Sequence, residues 1–245
     1  MEFDEFSCRL EGCIAKYDLL CHPFYQAWSR GVLTREDLQD YAIDYYHHVE
    51  SFPRALADFA RRLPQSELRQ AVLNNLGDEL GSRDEPSHAD LWCDFAEGVG
   101  TGQVSLDEDH PSPQMKNLIH FFRAVAKEGT PEQALAAFYA YESQVPRVSR
   151  EKARGLREMY RANERTCQYF IVHTTADVYH ANVWREQLLK RLQANLSAVE
   201  VALKSAETAA RLLWEALDGI ENTCLERIAR TVPTRRLYQP GDATL

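Results

Sequence analysis

An all-α bundle folded as a single domain is what this sequence predicts, on three observations. Apolar residues recur at helical spacing in almost every segment, and no stretch alternates convincingly as a strand would. The 11 glycines and 10 prolines among 245 residues fall mainly between the periodic stretches. Helix-start signatures stand where several of those stretches begin. No fixed-period repeat or low-complexity linker interrupts the pattern, so a bundle is expected rather than a solenoid.

Taken in order, helices are expected near residues 3–20, 22–30, 35–49, 52–62 and 65–80. The third of these opens at Thr34, with Asp37 placed to return its hydrogen bond. The loop 81–87 (GSRDEPS) leads to a helix at 88–98, N-capped by Ser87 with Asp90 at N3. Segment 99–111 (VGTGQVSLDEDHP) is the clearest loop. Helices at 112–127 and 131–145 follow. The second starts at Thr130–Pro131–Glu132–Gln133, a capping-box spacing with proline at the first helical position, and Pro146 closes it. The remaining helices are expected at 148–160, 163–180, 182–194, 197–217 and 220–231, with Asp218–Gly219 ending the long stretch that begins near Leu196. Residues 1–232 are assigned to the domain and 233–245 to a flexible C-terminal tail.

Bulk properties narrow the function classes. Hydrophobic residues make up 44% and charged residues 27%, ordinary for a globular protein with a sizeable core. A net charge of −9 disfavours a nucleic-acid partner, and the one basic stretch, Arg227–Arg236, reads as a solvated helix end. The N-terminal MEFDEFSCRLEGC has no signal-peptide pattern, and no apolar run approaches the roughly 18 residues of a membrane span. Six cysteines without CxxC spacing read as reduced, mostly buried thiols, and a cytoplasmic protein is expected.

Residues 173–180 read HTTADVYH. On one continuous helix His173, Asp177 and His180 would fall at i, i+4 and i+7, a single narrow stripe. A wet surface helix would also show such a stripe, but Cys167, Tyr169, Phe170, Ile171 and Val172 before it and Val178, Tyr179 and Trp184 after it leave little wet face. Buried imidazoles beside a buried carboxylate are explained by a cation that takes their lone pairs. Glu142, within AAFYAYESQVP, is a lone carboxylate among apolar residues, either on an exposed face or functional. In NNLGDELGSRDEPSHADLW (74–92), His88 could pair with Glu79 or Glu85. Glu79 is preferred, because Pro86 interrupts any helical face joining Glu85 to His88. Together Glu79, His88, Glu142, His173, Asp177 and His180 offer three carboxylates and three imidazoles, a set suited to two divalent first-row cations. The cysteines are not spaced for a structural zinc site.

With those residues in view, the chain resembles the family of the chlamydial protein associating with death domains, within the haem-oxygenase-like dimetal oxidases. The likeness covers nearly the whole chain. It rests on HPFYQAW (22–28), YAIDYYHHVESFPRAL (41–56), NNLGDELG with SHADLW (74–92), YESQVPRVSREKARGL (141–156), HTTADVYH with VWRE (173–186) and ALDGI (216–220). Individual pieces are shared with pyrroloquinoline quinone synthase and TenA-type folds. The resemblance implies a haem-oxygenase-like helical bundle holding a non-haem pair of metal ions, iron–iron or manganese–iron. Its ligands match Glu79, His88, Glu142, His173, Asp177 and His180, with Glu85 the other candidate because the stretch before His88 is longer than usual in the family. It also implies p-aminobenzoate synthesis for folate, using dioxygen and a reductant, from the ring and one side-chain carbon of the protein's own tyrosine. Tyr25 matches that tyrosine and Lys152 the amine donor. Tyr41, Tyr141 and Tyr169 match further tyrosines near the site. Without the resemblance, Tyr25 reads as an ordinary amphipathic aromatic and Lys152 as a solvated lysine. The rivals are a dimetal oxygenase acting on a diffusible amine, amino acid or fatty acid, and a helical protein-binding module. A homodimer is expected only on base rates.

Overall fold

The computed structural model describes residues 3–102, 106 and 110–231. Its helices are α1 (Phe3–Ala15), α2 (Pro23–Ser29), α3 (Arg35–Arg62), α4 (Glu67–Leu80), α5 (His88–Val99), α6 (Pro113–Lys127), α7 (Pro131–Glu142), α8 (Val145–Glu158), α9 (Glu164–His173), α10 (Ala176–Ala194) and α11 (Val199–Thr231). Short 3₁₀ turns at Leu19–Cys21 and Leu196–Ala198 join them, and no strand occurs among the described residues. The expected tail at 233–245, and 103–105 and 107–109 of the expected loop, lie outside the described residues.

The capping boxes form as read: Thr34 with Asp37, Ser87 with Asp90, and Thr130 with Gln133. Helix α7 is the central pillar. Every residue from Ala134 to Glu142 is buried, and α7 packs between α10 and α11. A helix apolar on all sides needs such complete enclosure. Helix α3 lies against α4, α5 and α6 and turns Tyr41, Tyr45, His48 and Phe52 inward.

Five expected helix limits are corrected. No break separates 49 from 52: α3 runs through Pro53. An interior proline costs roughly 3 kcal/mol. The stripe of Leu38, Tyr41, Tyr45, Val49, Phe52, Leu56 and Phe59 continues across it and is buried throughout, and that burial is the larger effect. Asp218–Gly219 does not end a helix either. A Cβ on Gly219 would lie 3.1 Å from Ser112 Oγ and Gln114 Cβ, so the glycine serves a close approach of α11 to α6. The expected helix 163–180 divides after His173, where Thr174 and Thr175 turn their hydroxyls back onto the carbonyls of Ile171 and Val172. Conversely, α10 runs unbroken through residues 180–182. The helix opened by Thr130 stops at Glu142, and Pro146 sits in the first turn of α8.

The thiols are all free, but only Cys167 and Cys224 are buried; Cys8 and Cys21 are exposed. No described helix is long and apolar enough to cross a membrane. Arg227, expected in solvent, ion-pairs with Asp37 and Asp40.

The α2–α8 contact fixes the site described next. Gly155 of α8 faces Trp28 of α2, whose ring is wedged against Tyr41, Phe95, Tyr160 and Phe170. A Cβ at 155 would stand 2.8 Å from the indole Cδ1 and Nε1. Gly155→Ala is therefore expected to destabilise the fold by about 1–3 kcal/mol despite the better helix propensity of alanine. Thermal unfolding checks this, and an unchanged or raised Tm would contradict the contact.

Candidate metal centre and tyrosine–lysine cluster

Two buried trios occupy the interior. In the first, α4 supplies Glu79, the start of α5 supplies His88 and the end of α9 supplies His173. Gly81, at φ +69°, turns the chain back so tightly that a Cβ there would meet the backbone of Glu85, Pro86 and Ser87. That turn brings His88 Nδ1 to 2.9 Å from Glu79 Oε2, and the His88 and His173 rings to 4.2 Å. In the second trio, Glu142 ends α7 while Asp177 and His180 lie in the first turns of α10. Within each trio, one donor atom per residue lies within 4.8 Å of those of the other two. Glu85 is exposed, on the wall of a cleft of about 480 Å³ that also touches His88, Asp78 and Leu91. The geometry thus groups Glu79, and not Glu85, with His88 and His173. Because α9 and α10 are separate, the three residues of HTTADVYH are not one stripe; His173 joins the first trio, Asp177 and His180 the second.

Neighbouring groups orient these side chains. His173 Nδ1 donates to the Tyr169 carbonyl at 2.6 Å, which turns Nε2 inward. His180 Nε2 donates to Asp78 Oδ2 at 2.9 Å, which turns Nδ1 inward. Glu142 accepts from Trp184 Nε1 at 2.5 Å and from Asn75 Nδ2 at 3.1 Å. The sequence reading gave no site role to Asn75, Asp78 or Trp184. Asn75 is one turn from Glu79 and Trp184 one turn from His180, a usable signal; nothing in sequence marked Asp78.

The electrostatics show a site short of positive charge. Burial, then the nearby Asp177 carboxylate, raises the Glu142 carboxyl well above its usual range. Burial lifts Asp177 to about 6. His180 is pushed up to about 9, because the surrounding Asp177, Glu142 and Asp78 carboxylates outweigh the burial that opposes its charge. Burial and neighbouring His88 hold His173 well below the ordinary imidazole value. Asp177 Oδ2 and His180 Nδ1 are buried without a hydrogen-bond partner, and His88 Nδ1 has only its ion-pair contact with Glu79. Unsatisfied inward donor atoms of nitrogen and oxygen fit divalent first-row cations.

Beside these trios stands a second cluster. Lys152 of α8 is 4% exposed; its Nζ donates to Tyr25 Oη of α2 at 2.6 Å and to Tyr41 Oη of α3. The two hydroxyls are 3.2 Å apart. The ammonium group lies 4.1 Å from both tyrosine ring centroids, with Trp28, Tyr45 and Phe170 around it. Desolvation drives its pKa well below that of an ordinary lysine, and burial drives those of Tyr25 and Tyr41 well up. Tyr45 stacks on Tyr41 at 5.3 Å and on Trp92 at 5.3 Å. Trp92 meets Tyr169 edge-on at 4.7 Å, and Tyr169 lies 4.1 Å from His173. An unbroken run of aromatic contacts thus joins the lysine to the first trio. Of the expected tyrosines, Tyr25 and Tyr41 gather at Lys152, Tyr169 abuts the first trio, and Tyr141 precedes Glu142 and faces His48 at 4.8 Å. A larger cavity, about 560 Å³, lies between α3, α6 and α11 and includes none of these residues.

A helical bundle enclosing such trios defines a metal-using oxidoreductase of haem-oxygenase-like fold. The chain belongs to the family of iron-containing redox enzymes, whose sequence model matches residues 39–214. It is 34% identical to the 4-aminobenzoate synthase of Chlamydia pneumoniae over 87% of this chain and 94% of that protein. It is 34% identical also to the 4-aminobenzoate synthase of Nitrosomonas europaea, over 97% of this chain and 100% of that one. A solved protein of unknown function with a heme oxygenase-like fold from Shewanella denitrificans superposes with a TM-score of 0.78 at 16% identity, covering 98% of this chain and 99% of that one. The resemblance read from the motifs therefore holds for both fold and family.

A lysine whose folded-state pKa lies below its unfolded value makes stability rise with pH, since the unfolded chain binds more protons. Between pH 7 and 9.5 the wild-type protein should gain stability relative to Lys152→Met, by up to about 1.4 kcal/mol per pH unit. Urea unfolding of both proteins across that range measures it; parallel curves would show that Lys152 is not desolvated.

Proposed function

We propose that this protein is a 4-aminobenzoate synthase that consumes its own Tyr25, with Lys152 as the amine donor. The observation that carries the reading is the placement of Lys152 Nζ, desolvated and 2.6 Å from the very oxygen it would replace. The relatives named above supply the product. In this reading Glu79, His88 and His173 hold one divalent ion, and Glu142, Asp177 and His180 hold a second, as an iron–iron or manganese–iron pair. The chemistry such a pair supplies is the activation of dioxygen with electrons from a reductant.

The chain's own residues do the rest. Aromatic walls exclude water from Lys152, which favours the neutral, nucleophilic form of its amine. Tyr41 Oη shares the Nζ contact and holds the amine against Tyr25. Oxidation of Tyr25 proceeds across the Tyr169–Trp92–Tyr45–Tyr41 contacts, with cleavage between its α and β carbons. The ring and β carbon leave as product, the β carbon oxidised to the carboxylate at the expense of dioxygen. Lys152 Nζ bonds the ring carbon as the phenolic oxygen leaves as water. Oxidation of the lysine Cε by dioxygen to an imine, then hydrolysed, breaks the Nζ–Cε bond and leaves an aldehyde on the side chain. A second reading, an oxygenase for a diffusible substrate, draws support from the cleft beside His88.

Mass spectrometry of metal-loaded protein given dioxygen and reductant distinguishes the two. Self-consumption predicts at most one product molecule per chain, a mass loss at Tyr25 and loss of the Nζ nitrogen at Lys152. Repeated turnover with an intact Tyr25 would overturn it. Tyr25→Phe is expected to abolish 4-aminobenzoate while metal content stays at the wild-type ratio. Glu142→Ala should lower bound metal from two ions per chain towards one, as read by elemental analysis; undiminished loading would remove Glu142 from the ligand set.

A further inference from the structure

Lys152 touches the hydroxyls of Tyr25 and Tyr41 alike, so contact with the amine does not select which ring is consumed. The two tyrosines differ in what holds their backbones. Tyr41 lies inside the 28-residue α3. Tyr25 lies in α2, a helix of seven residues, too short to hold its own geometry. Its position has to be imposed from outside.

His22 imposes it. The side chain is completely buried at the N-cap of α2, and Pro23 follows, so Phe24 carries the first N–H that needs a partner. His22 Nδ1 accepts that N–H at 3.1 Å. The proton is thereby fixed on Nε2, which donates to Asp218 Oδ1 of α11 at 3.0 Å. The ring also stands edge-on to Trp214, 4.7 Å away. Both ring nitrogens are occupied, so the grouping of His22 with Asp218 and Glu221 is satisfied without a cation. Just upstream, the Leu19 N–H donates to buried Gln144 Oε1 at 3.0 Å, a second tie, to the α7–α8 junction. Phe24, whose N–H His22 holds, stacks on Tyr41 at 5.6 Å.

We propose that His22, locked by Asp218, is a positioning residue that sets the place of Tyr25 against Lys152 and so makes Tyr25, not Tyr41, the consumed ring. This rests on the reading under Proposed function. The carboxylate serves only as an acceptor, so Asp218→Asn retains the lock, whereas Asp218→Ala removes it. His22→Asn keeps an N-cap acceptor but cannot reach α11.

The test uses full-length, metal-loaded protein. Asp218→Ala and His22→Asn are expected to lower the rate of Tyr25 loss by about tenfold or more, the scale for a reacting group slightly misplaced. They should also shift oxidative modification to the peptide containing Tyr41, with metal content and helical circular dichroism as in wild type. Asp218→Asn should stay within about twofold of wild type, a rescue that a merely destabilising change would not give. Wild-type rates and a wild-type site of modification in both disruptive variants would overturn the proposal. Fluorine NMR of protein labelled with 3-fluorotyrosine gives an arm that needs no turnover. The Tyr25 resonance should move or broaden in Asp218→Ala and return in Asp218→Asn; no change in either variant overturns the positioning role. If wild-type protein never loses Tyr25, the function reading fails in wild type itself, while the NMR result still decides the role of His22.

Discussion

Three carboxylates and three imidazoles are withdrawn from water inside a bundle whose walls are otherwise apolar, and much of the architecture answers that fact. Leaving one buried charge without its partner costs about 3–5 kcal/mol. A domain has only about 5–15 kcal/mol of net stability, so three such charges cannot stand uncompensated. The chain offers partial relief. Trp184 and Asn75 bond Glu142, Asp78 bonds His180, and the upward shifts of Glu142 and Asp177 reflect burial first and the neighbouring carboxylates second. Cations held there, as proposed above, would complete the compensation and couple metal loading to stability.

Lys152 poses the opposite problem with a different answer. Among the described residues it has no carboxylate partner, only two hydroxyls and aromatic faces. Such surroundings stabilise an ammonium less than water does, so the balance shifts towards the neutral amine. The residues that create this environment come from α2, α3, α8 and α9, held by contacts as close as that of Gly155 on Trp28. The chemistry of the amine is thus a property of packing.

Local signals carried the helices well. The capping boxes at Thr34, Ser87 and Thr130 mark three true starts, since hydroxyl-to-backbone bonds depend on a few adjacent residues. Long-range packing decided what the sequence left ambiguous. Pro53 and Gly219 look like stops but are overridden by a continuous buried stripe and by a tight interhelical approach. The break after His173 was unread because threonines within a helical pattern break it only when their hydroxyls capture carbonyls. At the site, the residue types with ligand chemistry were legible, as was the preference for Glu79 over Glu85. Asp78 was not, because a solvent-facing aspartate one residue from a candidate ligand has no signature of its own. His22 was visible only as part of a motif; one of its two hydrogen bonds reaches a residue 196 positions away.

The break between α9 and α10 has one more effect. By sending His173 one way and Asp177 and His180 the other, it divides the donors unequally: two imidazoles and one carboxylate on one side, one imidazole and two carboxylates on the other. A dication in the first pocket would retain a net positive charge, whereas the same ion in the second would be neutralised. Oxygen-rich, anionic surroundings favour harder ions and higher oxidation states, and nitrogen-rich ones the softer and more reduced. The turn at two threonines thereby decides which of the two seats is the more anionic.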